Sequence, residues 1–133
     1  MSEVDILVMM FFIHFVFDYY VQSRSNVNIK SINWWLKRHP RNITKAKLCC
    51  YCGLMMHSFT WSYAVLLPFL YYTWSNNLNN AVLYYFMSTN ALVHCAIDDM
   101  KTNSRCINSI TDQFLHSIQI VTLWLVCYAI YMM

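Results

Sequence analysis

Three histidine–aspartate pairs recur along this chain at helical spacing: His14-x-x-x-Asp18, His94-x-x-x-Asp98 and, in reverse order, Asp112-x-x-x-His116. Positions i and i+4 of a helix share a face, with Cβ atoms roughly 5–6 Å apart. Each pair can therefore hold one small ion or proton between an imidazole nitrogen and a carboxylate oxygen. The second pair continues to Lys101, one turn further on. A further histidine, His57, stands inside the longest uncharged run. Imidazole and carboxylate donors suit zinc above all, and also manganese or iron. His14, Asp18, His57, His94, Asp98, Asp112 and His116 are the candidate metal ligands. Asp18, Asp98, Asp112 and Lys101 are the candidates for catalytic work. Gln22, Asn90, Gln113 and Gln119 fall near the same face or its edge, where they can orient water or an anionic group.

The elements that must bring these residues together are apolar runs. The chain is 59% hydrophobic and only 11% charged, against about a quarter charged for ordinary soluble domains. One Gly and two Pro argue against a turn-rich β fold, and the abundance of aromatics argues against disorder. A membrane-spanning helix needs roughly 20 mostly apolar residues. Four stretches approach that, at about 4–21, 48–74, 78–98 and 110–132. The expectation is a single all-α domain over residues 1–133, a four-helix transmembrane bundle.

Charge gives the orientation. All nine Lys and Arg lie in two places: the loop 22–47 and the link that holds Lys101 and Arg105. By the positive-inside rule both loops face the cytoplasm and both termini lie on the outer, periplasmic side. The expected location is a bacterial inner membrane, crossed several times. The basic residues are a topology signal rather than a nucleic-acid footprint, so no nucleic-acid partner is expected. Ile29, Ile32, Trp34, Trp35 and Leu36 mix with Lys37 and Arg38, which predicts a short helix in the cytoplasmic headgroup layer. The acidic N-terminus, with Glu3 and Asp5, is unlike a cleavable signal peptide, so the first run is expected to be retained. Six Cys do not point to disulfides or a zinc site, because Cys49-Cys50-Tyr51-Cys52 lacks paired ligand spacing. Gly53, one turn before His57, is expected to let the second helix approach its neighbours closely.

On that topology Asp18, Asp98 and Asp112 lie near the cytoplasmic boundary, and His14, His94 and His116 lie one turn deeper. His57 falls about nine residues into its span, roughly 13 Å at 1.5 Å per residue. An ionisable group at mid-helix costs about 2.5–3.5 kcal/mol on insertion scales. Such groups persist by facing inward, pairing, or binding something.

The combined pattern of His14-x-x-x-Asp18-x-x-x-Gln22, a basic stretch, His57, His94-x-x-x-Asp98-x-x-Lys101 and Asp112-Gln113-x-x-His116 resembles a family of small bacterial and phage membrane proteins catalogued as domain of unknown function 3307. That resemblance covers nearly the whole chain and supplies no activity. More loosely, His and Asp pairs on membrane helices are similar to bacterial membrane-bound metal-dependent hydrolases under DNA-damage control, which supplies a reaction class. The Asn- and Tyr-rich, Gly-poor composition suggests an AT-rich genome such as a phage's.

Three functional readings follow. The first is a metal-dependent hydrolase acting on a lipid or lipid-linked phosphate or ester at the cytoplasmic leaflet. The second is a non-catalytic membrane protein, phage-encoded in one version, whose cluster holds a structural metal while the protein modulates a host membrane protein. The third is ion or proton transport, which the sparse polar residues of the outer half argue against. Homo-oligomerisation is open in each.

Overall fold

A computed structural model describes residues 2–21 and 24–132. The elements are α1 (Glu3–Val16), a π-helical turn (Phe17–Val21), α2 (Arg24–Ile29), α3 (Ile32–Arg38), α4 (Ile43–Ser75), α5 (Ala81–Thr102) and α6 (Ser109–Tyr131). The described residues contain no strand. The secondary structure of the described residues is all helical, as composition implied.

Local sequence explains the helix starts. Ser2 and Asp5 form a reciprocal capping box at α1. Asn42 caps α4 by accepting from the Lys45 amide at 2.8 Å, and Asn108 does the same for Thr111 at α6. The Asn42 cap starts α4 at Ile43, five residues before the apolar run suggests, so Lys45 and Lys47 lie within the helix. The resulting 33 residues reach about 50 Å at 1.5 Å per residue. The expected headgroup-layer helix is two short helices, α2 and α3, joined at Lys30–Ser31.

Helices α1, α4, α5 and α6 close a ring, each packed on the next, while α2 and α3 pack on α4. One half of the interior is apolar, built from Ile6, Met10, Trp61, Val65, Leu66, Phe69, Leu83, Ile120, Leu123 and Cys127. The other half is polar: His14, Ser58, Ser62, Asn90, His94, Asp98, Asp112, His116 and Gln119 are all buried. The outside is the reverse, with Met56, Trp74, Tyr85, Ile110 and Phe114 exposed.

Among the described residues, α6 is the one helix long and apolar enough to cross a membrane. The expectation of four such spans is not met on that measure, and the reason is specific. The regular α-helix of α1 has 14 residues. Helix α4 carries Lys45, Lys47 and His57, and α5 carries Asn90, His94, Asp98, Asp99 and Lys101. These residues dilute hydropathy along the chain even where they point inward.

Gly53 works differently from the sequence expectation. A Cβ there would collide with the carbonyl oxygen of Ile29 and stand 2.9 Å from its carbonyl carbon. The missing side chain admits the end of α2 against α4, rather than a second long helix.

Candidate metal centre

Helices α4, α5 and α6 each send imidazole or carboxylate groups to one point. His94 and Asp98 stand one turn apart on α5, and Asp112 and His116 one turn apart on α6. His57 reaches across from α4. Two groups form, His57–His94–Asp98 and Asp98–Asp112–His116, each offering ligand atoms within 4.8 Å of one another. Asp98 belongs to both.

Individual separations are 3.5 Å from His57 Nε2 to Asp98 Oδ2 and 3.7 Å from His94 Nε2 to the same oxygen. His116 Nε2 lies 3.7 Å from Asp98 Oδ1 and 3.4 Å from Asp112 Oδ1. Donors about 2.1 Å from a tetrahedral zinc stand about 3.4 Å from each other, so these spacings are of the right size.

Hydrogen bonding identifies atoms that need a cation or a proton. Gln119 Nε2 donates to Asn90 O at 2.8 Å and to Asn90 Oδ1 at 2.7 Å, which turns Gln119 Oε1 toward His116 Nδ1 at 3.4 Å. In neutral His116 the proton then sits on Nδ1. The Nε2 lone pair faces two carboxylates that can only accept. His94 is buried with neither ring nitrogen hydrogen-bonded, and Asp112 Oδ1 is likewise unpartnered. Buried polar atoms left this way are costly, and a bound divalent ion would satisfy them together. Around the site, Trp61 stacks on His94 with ring centroids 4.0 Å apart, and His94 stacks on His116 at 4.3 Å.

His14 and Asp18 stand beside the two groups rather than within them. Trp61 Nε1 donates to His14 Nδ1 at 3.1 Å. An indole nitrogen can only donate, so His14 carries its proton on Nε2 and gives it to Gln113 Oε1 at 3.2 Å. Gln113 Nε2 in turn donates to Asp18 Oδ2 at 2.9 Å and to Asp112 Oδ2 at 3.3 Å. Both His14 nitrogens are engaged, and the Nδ1–Asp18 separation is 3.9 Å.

Two lysines meet the carboxylates. Lys101 reaches across to α6 and donates to Asp112 Oδ2 at 2.6 Å. Asp99, next to Asp98 but on another face of α5, accepts from Asn103 Nδ2 at 2.7 Å. Lys30, which the sequence marked only as a cytoplasmic charge, is buried and donates to Asp98 Oδ2 at 2.7 Å. No spacing rule connects positions 68 residues apart. A buried apolar-to-polar network of Asn90, Ser62 and Gln119 extends from His116, with Asn90 Nδ2 donating to Ser62 Oγ at 2.8 Å. Gln22 lies outside the described residues.

A cleft of about 470 Å³ opens beside the centre, lined by Asp18, Tyr19, Lys101, Ser109, Ile110 and Gln113. Two of its lining residues, Lys101 and Gln113, hydrogen-bond Asp112 and so connect the cleft to the centre.

No curated protein and no solved structure matches this sequence. A family profile does match, across residues 6–132, and on that near-complete match the chain belongs to the family described as protein of unknown function (DUF3307).

Proposed function

We propose that this chain is an integral membrane, metal-dependent hydrolase acting on a lipid or lipid-linked phosphate or ester at the cytoplasmic leaflet. The observation that carries the chemistry is Asp98, shared between two His/Asp groups in which both His94 nitrogens and Asp112 Oδ1 are buried without a hydrogen-bond partner. His57, His94 and His116 would be the nitrogen ligands, with Asp98 between them and Asp112 beside His116. Zinc fits this donor set, and manganese or iron fits it too. When bound, such an ion polarises a phosphoryl or acyl oxygen and makes a water molecule nucleophilic near neutral pH. Asp18, on the cleft wall, is the group placed to take the proton of the attacking water. Lys101 meets the negative oxygens of the substrate. His14 holds Gln113, and Gln113 fixes Asp18 relative to Asp112.

The membrane reading rests on the distribution of side chains. Large apolar residues cover the outside of α1, α4, α5 and α6, while Asn90, His94, Asp98, Asp112, His116 and Gln119 are buried inside. A soluble monomer rarely exposes so much contiguous apolar surface. Four spans with both termini outside then place α2, α3 and the two basic loops at the inner surface of a bacterial plasma membrane.

The test is hydrolysis. Purified protein in vesicles of a phospholipid or a lipid-linked phosphate, supplied with Zn²⁺ or Mn²⁺, should release product. Asp98→Asn should abolish that release without unfolding the protein. Absence of release from every such substrate, with the metal bound, would reject catalysis.

One observation favours a second reading, a structural staple in a non-catalytic protein that modulates a host membrane protein. Lys30 and Lys101 already pair with Asp98 and Asp112. In that case alanine variants should lose thermal stability in step with metal loss, and no turnover should be found.

A further inference from the structure

Lys30 occupies the oxygen that the first ligand group needs. Its ammonium lies 2.7 Å from Asp98 Oδ2, and the same oxygen faces His57 Nε2 at 3.5 Å and His94 Nε2 at 3.7 Å. Lys30 is not held within a helix; it lies on the turn between α2 and α3. That turn is nonetheless docked with care. The Lys30 carbonyl accepts from Cys50 Sγ at 3.2 Å and from Asn103 Nδ2 at 3.1 Å. Asn103 Oδ1 accepts from the Ile32 amide at 2.8 Å. Gly53 supplies the space that lets Ile29 lie directly on α4. Residues of α4 and the cap residue Asn103 that ends α5 thus hold one cation, from a turn, at the shared ligand.

We propose that Lys30 is a built-in competitor for the metal: an internal cation that holds Asp98 until a divalent ion displaces it. The inference rests on the metal-centre reading above and adds its regulation. An ammonium and a divalent ion at one carboxylate oxygen repel each other, and in a site with little water that repulsion is poorly screened. Lys30 can leave because its side chain swings from a turn, without breaking a helix. While it remains, Asp98 is neutralised and hydrogen-bonded, which lowers the centre's affinity for metal. Displacement also removes one of the bonds that hold the α2–α3 turn over Cys50, a residue only 3% exposed. Metal binding would thereby be reported on the cytoplasmic side.

The experiment measures binding of Mn²⁺ alone, chosen because it favours oxygen and imidazole donors over thiols. Full-length protein in detergent is titrated and bound Mn²⁺ followed by electron paramagnetic resonance. Lys30→Met, which keeps length and removes charge, should bind Mn²⁺ about tenfold or more tightly, a typical coupling between two sites. Lys30→Arg should stay near the wild type. Gly53→Ala should shift affinity in the same direction as Lys30→Met with Lys30 still present, because a methyl group there pushes the turn off α4. It keeps the idea testable should Lys30→Met fail to fold. In parallel, Mn²⁺ should raise the alkylation rate of Cys50 in wild-type protein, read by mass spectrometry against exposed Cys52. Equal Mn²⁺ affinity in wild type, Lys30→Met and Gly53→Ala would overturn the competitor while leaving the metal centre standing. No Mn²⁺ bound by any of them would overturn both.

Discussion

The indole nitrogen of Trp61 donates to His14 Nδ1 at 3.1 Å, and this one contact sets the direction of a whole hydrogen-bond chain. Because the indole only donates, His14 must pass its proton outward to Gln113, and Gln113 must present its amide to Asp18 and Asp112. Trp61→Phe keeps a ring over His94 but removes the donor. Leaving buried His14 Nδ1 unsatisfied should cost about 1–3 kcal/mol of stability. Thermal unfolding in detergent checks the loss. Nitrogen NMR of the histidine rings should show His14 as the Nε2-protonated tautomer in wild type and a tautomer mixture in the variant. An unchanged His14 signal would contradict the chain as drawn.

Gln119 should matter to metal binding without touching metal. Its Oε1 faces His116 Nδ1 at 3.4 Å while its amide is fixed by Asn90. Partners that orient a ligating histidine are worth about 10–100-fold in affinity. Gln119→Leu should therefore weaken zinc or manganese binding by that order, and Gln119→Glu, which keeps an acceptor, should lose less. Titration calorimetry distinguishes them. Equal affinities would mean that Gln119 does not hold His116 for a ligand role.

Much of this was legible in the sequence, and the parts that were not share a physical cause. Helical character and the pairing of His94 with Asp98 and of Asp112 with His116 follow from apolar runs and i,i+4 spacing, because both are local, whereas the meeting of those pairs with His57 was legible only as a common depth across separate helices. The start of α4 was missed because the Asn42 cap, not hydropathy, decides it. Lys30 was missed because its meeting with Asp98 depends on how a turn docks, and Gly53 was read against the wrong neighbour for the same reason. His14 lies beside His116, with ring centroids 5.8 Å apart, and what keeps it out of the ligand groups is the bond from Trp61, an aromatic that reads in sequence as ordinary core. Spans were harder still: exposed Lys45 and Lys47 lower the hydropathy of α4, and buried Asn90, His94 and Asp98 lower that of α5 whether the exterior is lipid or water.

Side of exposure provides a separate test of the membrane reading. Cys106 is exposed in the link between α5 and α6, beside Arg105. The proposed orientation puts that link in the cytoplasm. In intact cells an impermeant maleimide should leave Cys106 unlabelled, and labelling should appear once the inner membrane is opened. Labelling of Cys106 in intact spheroplasts would invert the topology. Recovery of the protein in the soluble fraction, without detergent, would remove the membrane altogether.

The most direct measurement is metal content. Protein purified without added chelator, analysed by inductively coupled plasma mass spectrometry, should carry about one or two divalent ions per chain, as a shared bridging carboxylate allows. The double variant His94→Ala/Asp98→Ala should be nearly empty, whereas His14→Gln should retain its metal because both His14 nitrogens are already engaged with Trp61 and Gln113. A wild-type protein free of metal, or a double variant as fully loaded as the wild type, would contradict the metal centre.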